Sequence, residues 1–99
     1  MRQPDFQSRN NEIVYDVDFD AILIEQSIAK QYGILPSKQE DLKYSDWAKM
    51  VSGLMEDTPL GRVVQLRTET DKNMLRHFTP EQRRHRAAWA SFKRSRYGA

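Results

Sequence analysis

The sequence contains no cysteine, and no apolar run in it approaches the roughly 18 residues that a membrane span requires. The absence of cysteine excludes a disulfide framework and a thiolate metal site. The first residues also lack the apolar core of a secretory signal. We therefore expect a soluble protein of a reducing cytoplasm, without membrane association.

Motifs typical of catalytic sites are missing as well. There is no GxSxG sequence, no Gly-rich phosphate loop and no HExxH pattern. His77 and His85 stand apart from any cysteine, so a zinc site would have to recruit distant carboxylates. Serine and threonine residues occur where helices start rather than beside a histidine. These features predict a protein that is not an enzyme and that carries no cofactor.

One acidic pattern resembles the opening of a calcium loop. Asp16, Asp18 and Asp20 alternate as the first ligands of such a loop do. However, Ala21 stands where the loop turns on glycine, and Ser27 stands where it needs a bidentate glutamate. We therefore interpret the carboxylates as acceptors for the free amides of a helix start, and we expect no metal site.

Length and composition indicate one small domain with a modest core. The chain has 99 residues, of which 38% are apolar and 30% are charged. Besides Met1, Phe6 is the one large apolar side chain between Met1 and Glu12, so burial cannot offset the entropy of ordering this segment. We expect a flexible N-terminal tail over residues 1–14 and a single helical domain over residues 15–99.

Apolar periodicity predicts an all-α fold, a small bundle of about five short helices. The first helix begins near Asp16 and stops at Gly33, a left-handed cap residue beyond which Ile34 folds back. Its buried stripe is predicted to consist of Ala21, Ile24, Ile28 and Tyr32, widened by Ile22 and Leu23. Residues 35–41 read as a polar connector broken by Pro36.

The second helix is predicted to be capped by Ser45. Its apolar residues repeat at spacings of three and four and should form core: Trp47, Met50, Val51 and Leu54. Gly53 lies within this stripe and weakens the helix, which suggests that another backbone passes closely there, in a tight helix contact.

Two of the remaining helices have strong start signals. Thr58-Pro59 combines an N-cap with proline at the first helical position, and this third helix should extend to about Arg67. A brief fourth helix is expected around Met74, Leu75 and Phe78. Thr79-Pro80 with Gln82 forms a capping box that opens a fifth helix reaching about Arg96.

Charge is distributed unevenly along the chain. Residues 1–60 hold 6 Lys/Arg against 11 Asp/Glu, a net charge of −5, whereas residues 61–99 hold 10 against 3, a net charge of +7. This asymmetry is consistent with two ordinary solvated faces, with an acidic partner for the C-terminal part, or with head-to-tail self-association of copies.

The fifth helix carries the candidate partner-binding residues, which are Arg83, Arg84, Arg86, Trp89 and Phe92. Arginine and large aromatic side chains dominate the energetics of protein interfaces, which favours a protein partner. The same residues could clamp phosphates and stack on bases. They could also form only a solvated face. A total charge of +2 is too near neutral for a dedicated nucleic-acid binder.

Residues Tyr15 to about Ala88 resemble the tail-assembly chaperones of long-tailed phages and prophages of Gram-positive bacteria. The resemblance is carried by Asp20 with Ile22 and Leu23, Tyr32-Gly33-Ile34, Trp47, Ser52-Gly53-Leu54, Asp57-Thr58-Pro59-Leu60, Val63 and Leu66-Arg67. These are packing and turn signatures without chemistry. Members of that family are typically encoded between the tail-tube gene and the tape-measure gene.

The resemblance implies a non-enzymatic assembly factor in the cytoplasm of a bacterial host cell. Such a factor binds the long helical tape-measure protein, keeps it soluble and helps tail-tube protein subunits gather around it. Two other classes of function stay open from the residues alone. One is a small helical nucleic-acid-binding regulator that uses the basic C-terminal helix, and the other is a structural component of the virion.

Overall fold

The computed structural model describes residues 12–98, which form six α-helices and no β-strand. The helices are α1 (Ala21–Tyr32), α2 (Pro36–Gln39), α3 (Tyr44–Ser52), α4 (Pro59–Thr68), α5 (Lys72–Arg76) and α6 (Pro80–Tyr97). This architecture confirms the predicted small all-α fold, with one short helix more than expected. No helix in this range is long and apolar enough to span a membrane.

The chain divides into two compact units, Met1–Val64 and Gln65–Ala99. We call them unit 1 and unit 2 and describe each by itself. The expectation of a single helical domain over residues 15–99 stays a prediction. Most of the predicted tail, residues 1–11, lies outside the described residues. Val14 differs from the tail prediction, because it is 2% exposed and belongs to the core of unit 1.

Two buried aspartates organise the turn that precedes α1. One carboxylate oxygen of Asp16 accepts hydrogen bonds from the amides of Asp18 (2.8 Å) and Phe19 (2.9 Å). The amide of Asp16 in turn donates to the carboxylate of Asp20 at 3.0 Å. The prediction that these carboxylates cap the first helix near Asp16 was wrong, because α1 starts at Ala21 and Asp20 at its N-cap makes no side-chain cap hydrogen bond. The Asp16 carboxylate instead binds amides of a turn over residues 17–20.

The core of unit 1 forms where α1 packs on α2 and α3. Its buried members are Val14, Ile24, Ile28, Val51, Leu54, Leu60 and Val64. Gly33 ends α1 with φ 73°, and Ile34 packs against the core, as the sequence predicted. The predicted stripe was too wide, because Ala21, Ile22 and Tyr32 are exposed. The apolar spacing in the sequence did not show that neighbouring elements cover only a narrow strip of the surface of α1.

The segment predicted as a connector contains the one-turn helix α2, so that part of the prediction was wrong. Leu35 is extended, as a residue before proline should be, but Pro36 itself occupies the first helical turn. Gln39, 9% exposed, fixes this turn to α1 because its side-chain amide donates to the carbonyls of Glu25 (2.9 Å) and Ile34 (3.0 Å). A four-residue helix held by such contacts leaves no periodic signal.

Helix α3 begins at Tyr44 with Lys43 at the N-cap position, so the predicted Ser45 cap was wrong. Its predicted apolar residues do form core, with Val51 and Leu54 buried and Trp47 and Met50 packed against them.

The close backbone approach expected at Gly53 is not found, because the nearest neighbour from another helix is a side chain. A Cβ atom there would lie 2.8 Å from the Tyr32 hydroxyl oxygen. Gly53 is the C-cap residue of α3 rather than part of the helix.

The start of α4 is held by side chains from two directions. Thr58 accepts a hydrogen bond from the amide of Gly61 at 3.1 Å, which confirms it as the N-cap before Pro59. The hydroxyl of Ser27, a fully buried residue of α1, accepts from the amide of Leu60 at 2.9 Å and donates to its own helix at the carbonyl of Leu23. Ser27 thus satisfies a second free amide of the α4 start.

Unit 2 contains the end of α4 together with α5 and α6. Asp71 caps α5 by accepting from the amide of Asn73 at 2.8 Å. The capping box predicted for α6 is confirmed, since Thr79 accepts from the amide of Gln82 (3.0 Å) and Gln82 accepts from the amide of Thr79 (2.8 Å). Helix α6 ends at Tyr97, one residue beyond the predicted end.

Candidate protein-binding surfaces

Trp89 lies at the centre of a cluster of aromatic and cationic side chains in unit 2. Its side chain is buried, at 4% exposure, and the guanidinium carbon of Arg67 lies 3.9 Å from the centre of its ring. Phe92 stacks on Trp89 with 5.7 Å between ring centroids, and Tyr97 meets Phe92 edge-on at 6.4 Å. Trp89 is therefore a packing residue within the chain, and the guanidinium of Arg67 lies against the face of its ring.

Arg67 connects α4 to α6 within unit 2. It is 8% exposed, and its Nε donates a hydrogen bond to Nε2 of His85 at 3.1 Å. This geometry assigns the acceptor role to Nε2, so the proton of the neutral imidazole is on Nδ1. The guanidinium is flat and weakly hydrated, which lets it lie between a ring face and a histidine where a lysine could not.

Arg86 closes the C-terminal end of α4. One nitrogen of its guanidinium donates to the carbonyl of Leu66 at 2.6 Å, and it also lies 3.2 Å from the carbonyl oxygen of Glu69. The last carbonyls of a helix have no partner within the helix, and a cation there also complements the negative end of the helix dipole. Arg86 is half-buried, and its charged group interacts with these carbonyls of unit 2.

Arg83 has the same role for α5. Its Nε donates to the carbonyl of Phe78 at 3.1 Å, and a second nitrogen donates to the carbonyl of Arg76 at 3.1 Å. The side chain remains exposed on one side. Arg83 and Arg86, three positions apart on α6, thus bind backbone carbonyls at the C-terminal ends of α5 and α4. The charge pattern of the sequence did not reveal this arrangement.

The five predicted partner-binding residues are therefore not equivalent. Trp89 is buried, Arg83 and Arg86 are engaged by helix ends, and Phe92 is half-buried against Trp89. Arg84 is exposed and forms no hydrogen bond or ion pair within residues 12–98. Their role as a partner surface stays a prediction, and Arg84 with the exposed part of Arg83 would carry most of the accessible charge.

Unit 1 contains a second candidate surface that the sequence did not indicate. An open groove of about 280 Å³ lies at the start of α1, and its apolar lining comes from Val17, Ala21, Ile24, Pro36 and Trp47. Val17 is 47% exposed although it is apolar, and Ala21 is also exposed. Exposed apolar side chains that line one concavity mark a site for another apolar group.

The walls of this groove are held in place by neighbouring contacts. Gln39, whose hydrogen bond to the carbonyl of Glu25 joins α2 to α1, is one of its lining residues. Trp47 packs on the core from α3, and Tyr44 lies against it with 5.7 Å between ring centroids. Tyr44 is 77% exposed, the highest value among the exposed large apolar residues. The groove is thus preformed and continues onto an exposed aromatic ring.

Two carboxylates, those of Glu25 and Glu40, complete the lining. Both side chains are exposed, and neither carboxylate has an ion pair or hydrogen bond within residues 12–98. The groove therefore combines an apolar lining with unneutralised negative charge. The sequence missed this site because α2 creates one of its walls, and α2 was not predicted.

The family-model comparison gives one match, to a family described as "Bacteriophage Gp15 protein", over residues 2–90. No curated protein and no solved structure matches the chain significantly. The matched range covers most of both units, including both candidate surfaces as far as Ala90. The chain therefore belongs to the bacteriophage Gp15 protein family and is a phage protein.

Proposed function

We propose that this protein is a tail-assembly chaperone of a long-tailed phage or prophage of Gram-positive bacteria. In this proposal it binds the tape-measure protein without enzymatic chemistry and helps the tail-tube protein to assemble around it. It would act in the cytoplasm of the host cell, before the particle is complete.

The observation that carries the proposal is membership of a phage protein family over residues 2–90, joined to the sequence resemblance over Tyr15 to about Ala88. The chemistry of the candidate surfaces supports it. An apolar groove with an exposed aromatic beside it is suited to holding another polypeptide, as grooves that receive amphipathic helices do. A tape-measure protein is a long helix, and it offers such faces repeatedly.

Co-expression with the tape-measure protein of the same phage tests this function. We expect the tape-measure protein to be insoluble when expressed alone and to become soluble, and to copurify with the tagged chain, when both are present. Co-expression of the chain with an unrelated insoluble protein provides the control for non-specific solubilisation. A tape-measure protein that is equally soluble with and without the chain would refute the proposal.

The composition of mature particles separates a chaperone from a virion component. A chaperone leaves before maturation, so mass spectrometry of purified phage should detect the tape-measure protein but not this chain. Stoichiometric recovery of the chain in washed particles would instead identify it as part of the virion.

A further inference from the structure

The open groove of unit 1 combines apolar side chains and negative charge in its lining. Ala21 and Val17 present apolar surface to solvent, and Trp47 supplies an aromatic wall. Glu25 on α1 and the exposed Glu40, which directly follows α2, add negative charge from two elements. No cationic side chain lines the groove in the described part of the chain.

We propose that this groove receives an amphipathic helix whose apolar stripe is flanked by lysine or arginine. The apolar stripe would fill the space between α1, α2 and Trp47, while the flanking cations would pair with Glu25 and Glu40. The inference deepens the proposed function, because it assigns the groove as the place where a helical segment of the tape-measure protein docks.

Charge is the argument for a cationic helix. Carboxylates without a partner cost little while they are hydrated, but an apolar helix laid beside them would remove part of their water. A cation on the incoming helix offsets that loss, whereas an acidic flank would add repulsion. Both carboxylates are unpaired within the described residues. Among helices that have the same apolar stripe, the groove should therefore prefer one that is flanked by cations.

A pair of synthetic helical peptides tests the inference directly. Both carry leucine at helical spacing along one face, and the residues flanking that face are lysine in one peptide and glutamate in the other. Fluorescence anisotropy with the full chain should show binding of the lysine peptide, tighter than the glutamate peptide by roughly five- to tenfold for two exposed ion pairs at low salt. Equal binding of both peptides, or preference for the glutamate peptide, would overturn the inference.

Ala21→Arg places a cation in the groove without disturbing the core, because Ala21 is exposed. The dissociation constant of the lysine peptide should rise about tenfold or more, since the apolar lining is obstructed and the flanking cations are repelled. Gln26→Arg is the matched control, with the same added charge at an exposed position of α1 that does not line the groove. Unchanged binding by Ala21→Arg would exclude the groove.

A second pair of variants isolates the charge. Glu25→Lys should weaken binding of the lysine peptide and improve binding of the glutamate peptide. Glu56→Lys makes the same charge change at an exposed position of unit 1 outside the groove and should do neither. Equal effects of the two substitutions would show that only the total charge of the protein matters, which contradicts the inference.

Two further readouts distinguish this inference from the other occupants and from the proposed function. If sedimentation shows that the chain alone self-associates and that Ala21→Arg abolishes the association, a second copy fills the groove and the inference fails. If the groove binds the lysine peptide but the wild-type chain does not capture the tape-measure protein, the docking site stands and the proposed function fails. If Ala21→Arg captures the tape-measure protein as wild type does, the function stands and the docking site fails.

Discussion

Replacing Gly61 with alanine should destabilise the protein, although alanine is the better helix former. Gly61 lies in the first turn of α4, where helix propensity alone predicts a gain of up to about 1 kcal/mol. A Cβ atom at this position would overlap the carbonyl oxygen of Met55 and would lie 2.8 Å from the Cα atom of Glu56. Both neighbours are backbone atoms, so no side-chain rotation can relieve the contact.

The segment that Gly61 contacts cannot easily move away. The hydroxyl of Thr58 donates to the carbonyl of Met55 at 2.7 Å and accepts from the amide of Gly61 at 3.1 Å, which closes the turn against the helix. Overpacking costs typically 1–3 kcal/mol, and a contact with backbone atoms that cannot rotate away belongs at the upper end of this range, so we expect a net loss of about 2 kcal/mol after the propensity gain of up to about 1 kcal/mol. For a chain of this size that loss lowers the melting temperature by roughly 10 °C.

Circular dichroism at 222 nm during thermal unfolding measures the shift. Gly53→Ala is the control, because its new Cβ would meet the Tyr32 hydroxyl at 2.8 Å, the far end of a side chain that can rotate. We expect it to cost about 1 kcal/mol, the value of the hydrogen bond that Tyr32 donates to the carbonyl of Met50. A Gly61→Ala protein that melts at or above the wild-type temperature would refute the close backbone approach.

Other substitutions test the contacts that hold each unit, with urea unfolding as the measurement. Ser27→Ala leaves a buried amide of the α4 start without a partner and should cost about 1–3 kcal/mol, whereas Ser52→Ala removes an exposed bond and should change stability by less than about 0.5 kcal/mol. Thr79→Ala should cost about 1 kcal/mol through loss of the capping box, visible as faster amide exchange in the first turn of α6. Arg86→Ala should cost about 1.5–3 kcal/mol because the end of α4 loses a charged donor, while Arg84→Ala should leave stability unchanged. Equal stability of the two arginine variants would contradict the capping role.

Local signals in the sequence were sufficient to locate several helix ends, among them the end of α1 and the starts of α4 and α6. Gly33, the Thr58-Pro59 pair and the Thr79–Gln82 capping box act on amides or carbonyls within a few residues, so their effect does not depend on the rest of the fold. The same locality explains the confirmed core residues of α3, because spacing along one helix defines its apolar face.

Assignments that depended on distant partners were less successful. Ile22 was expected in the core but is 69% exposed. The prediction failed because the apolar spacing of α1 does not reveal how much of the helix surface other elements cover. Helix α2 was missed because Gln39 holds it against the backbone carbonyl of Glu25, 14 positions earlier in the chain, and local spacing does not predict such a contact. With α2 the groove was missed too, since a concavity exists only where separate elements converge.

The amino-acid sequence by itself determined the helical class of this protein, the caps at Gly33, Thr58 and Thr79, and its uneven charge, because each of these follows from residue type and short-range spacing. Only the tertiary structure decided what the individual side chains do. It buried Trp89 beneath Arg67, engaged Arg83 and Arg86 at the ends of other helices, and left Glu25 and Glu40 unpaired beside an apolar groove. The physical reason is that the burial of a side chain and its hydrogen-bond or ionic partners depend on which surfaces folding brings together. The spacing of residues along the sequence does not determine those contacts.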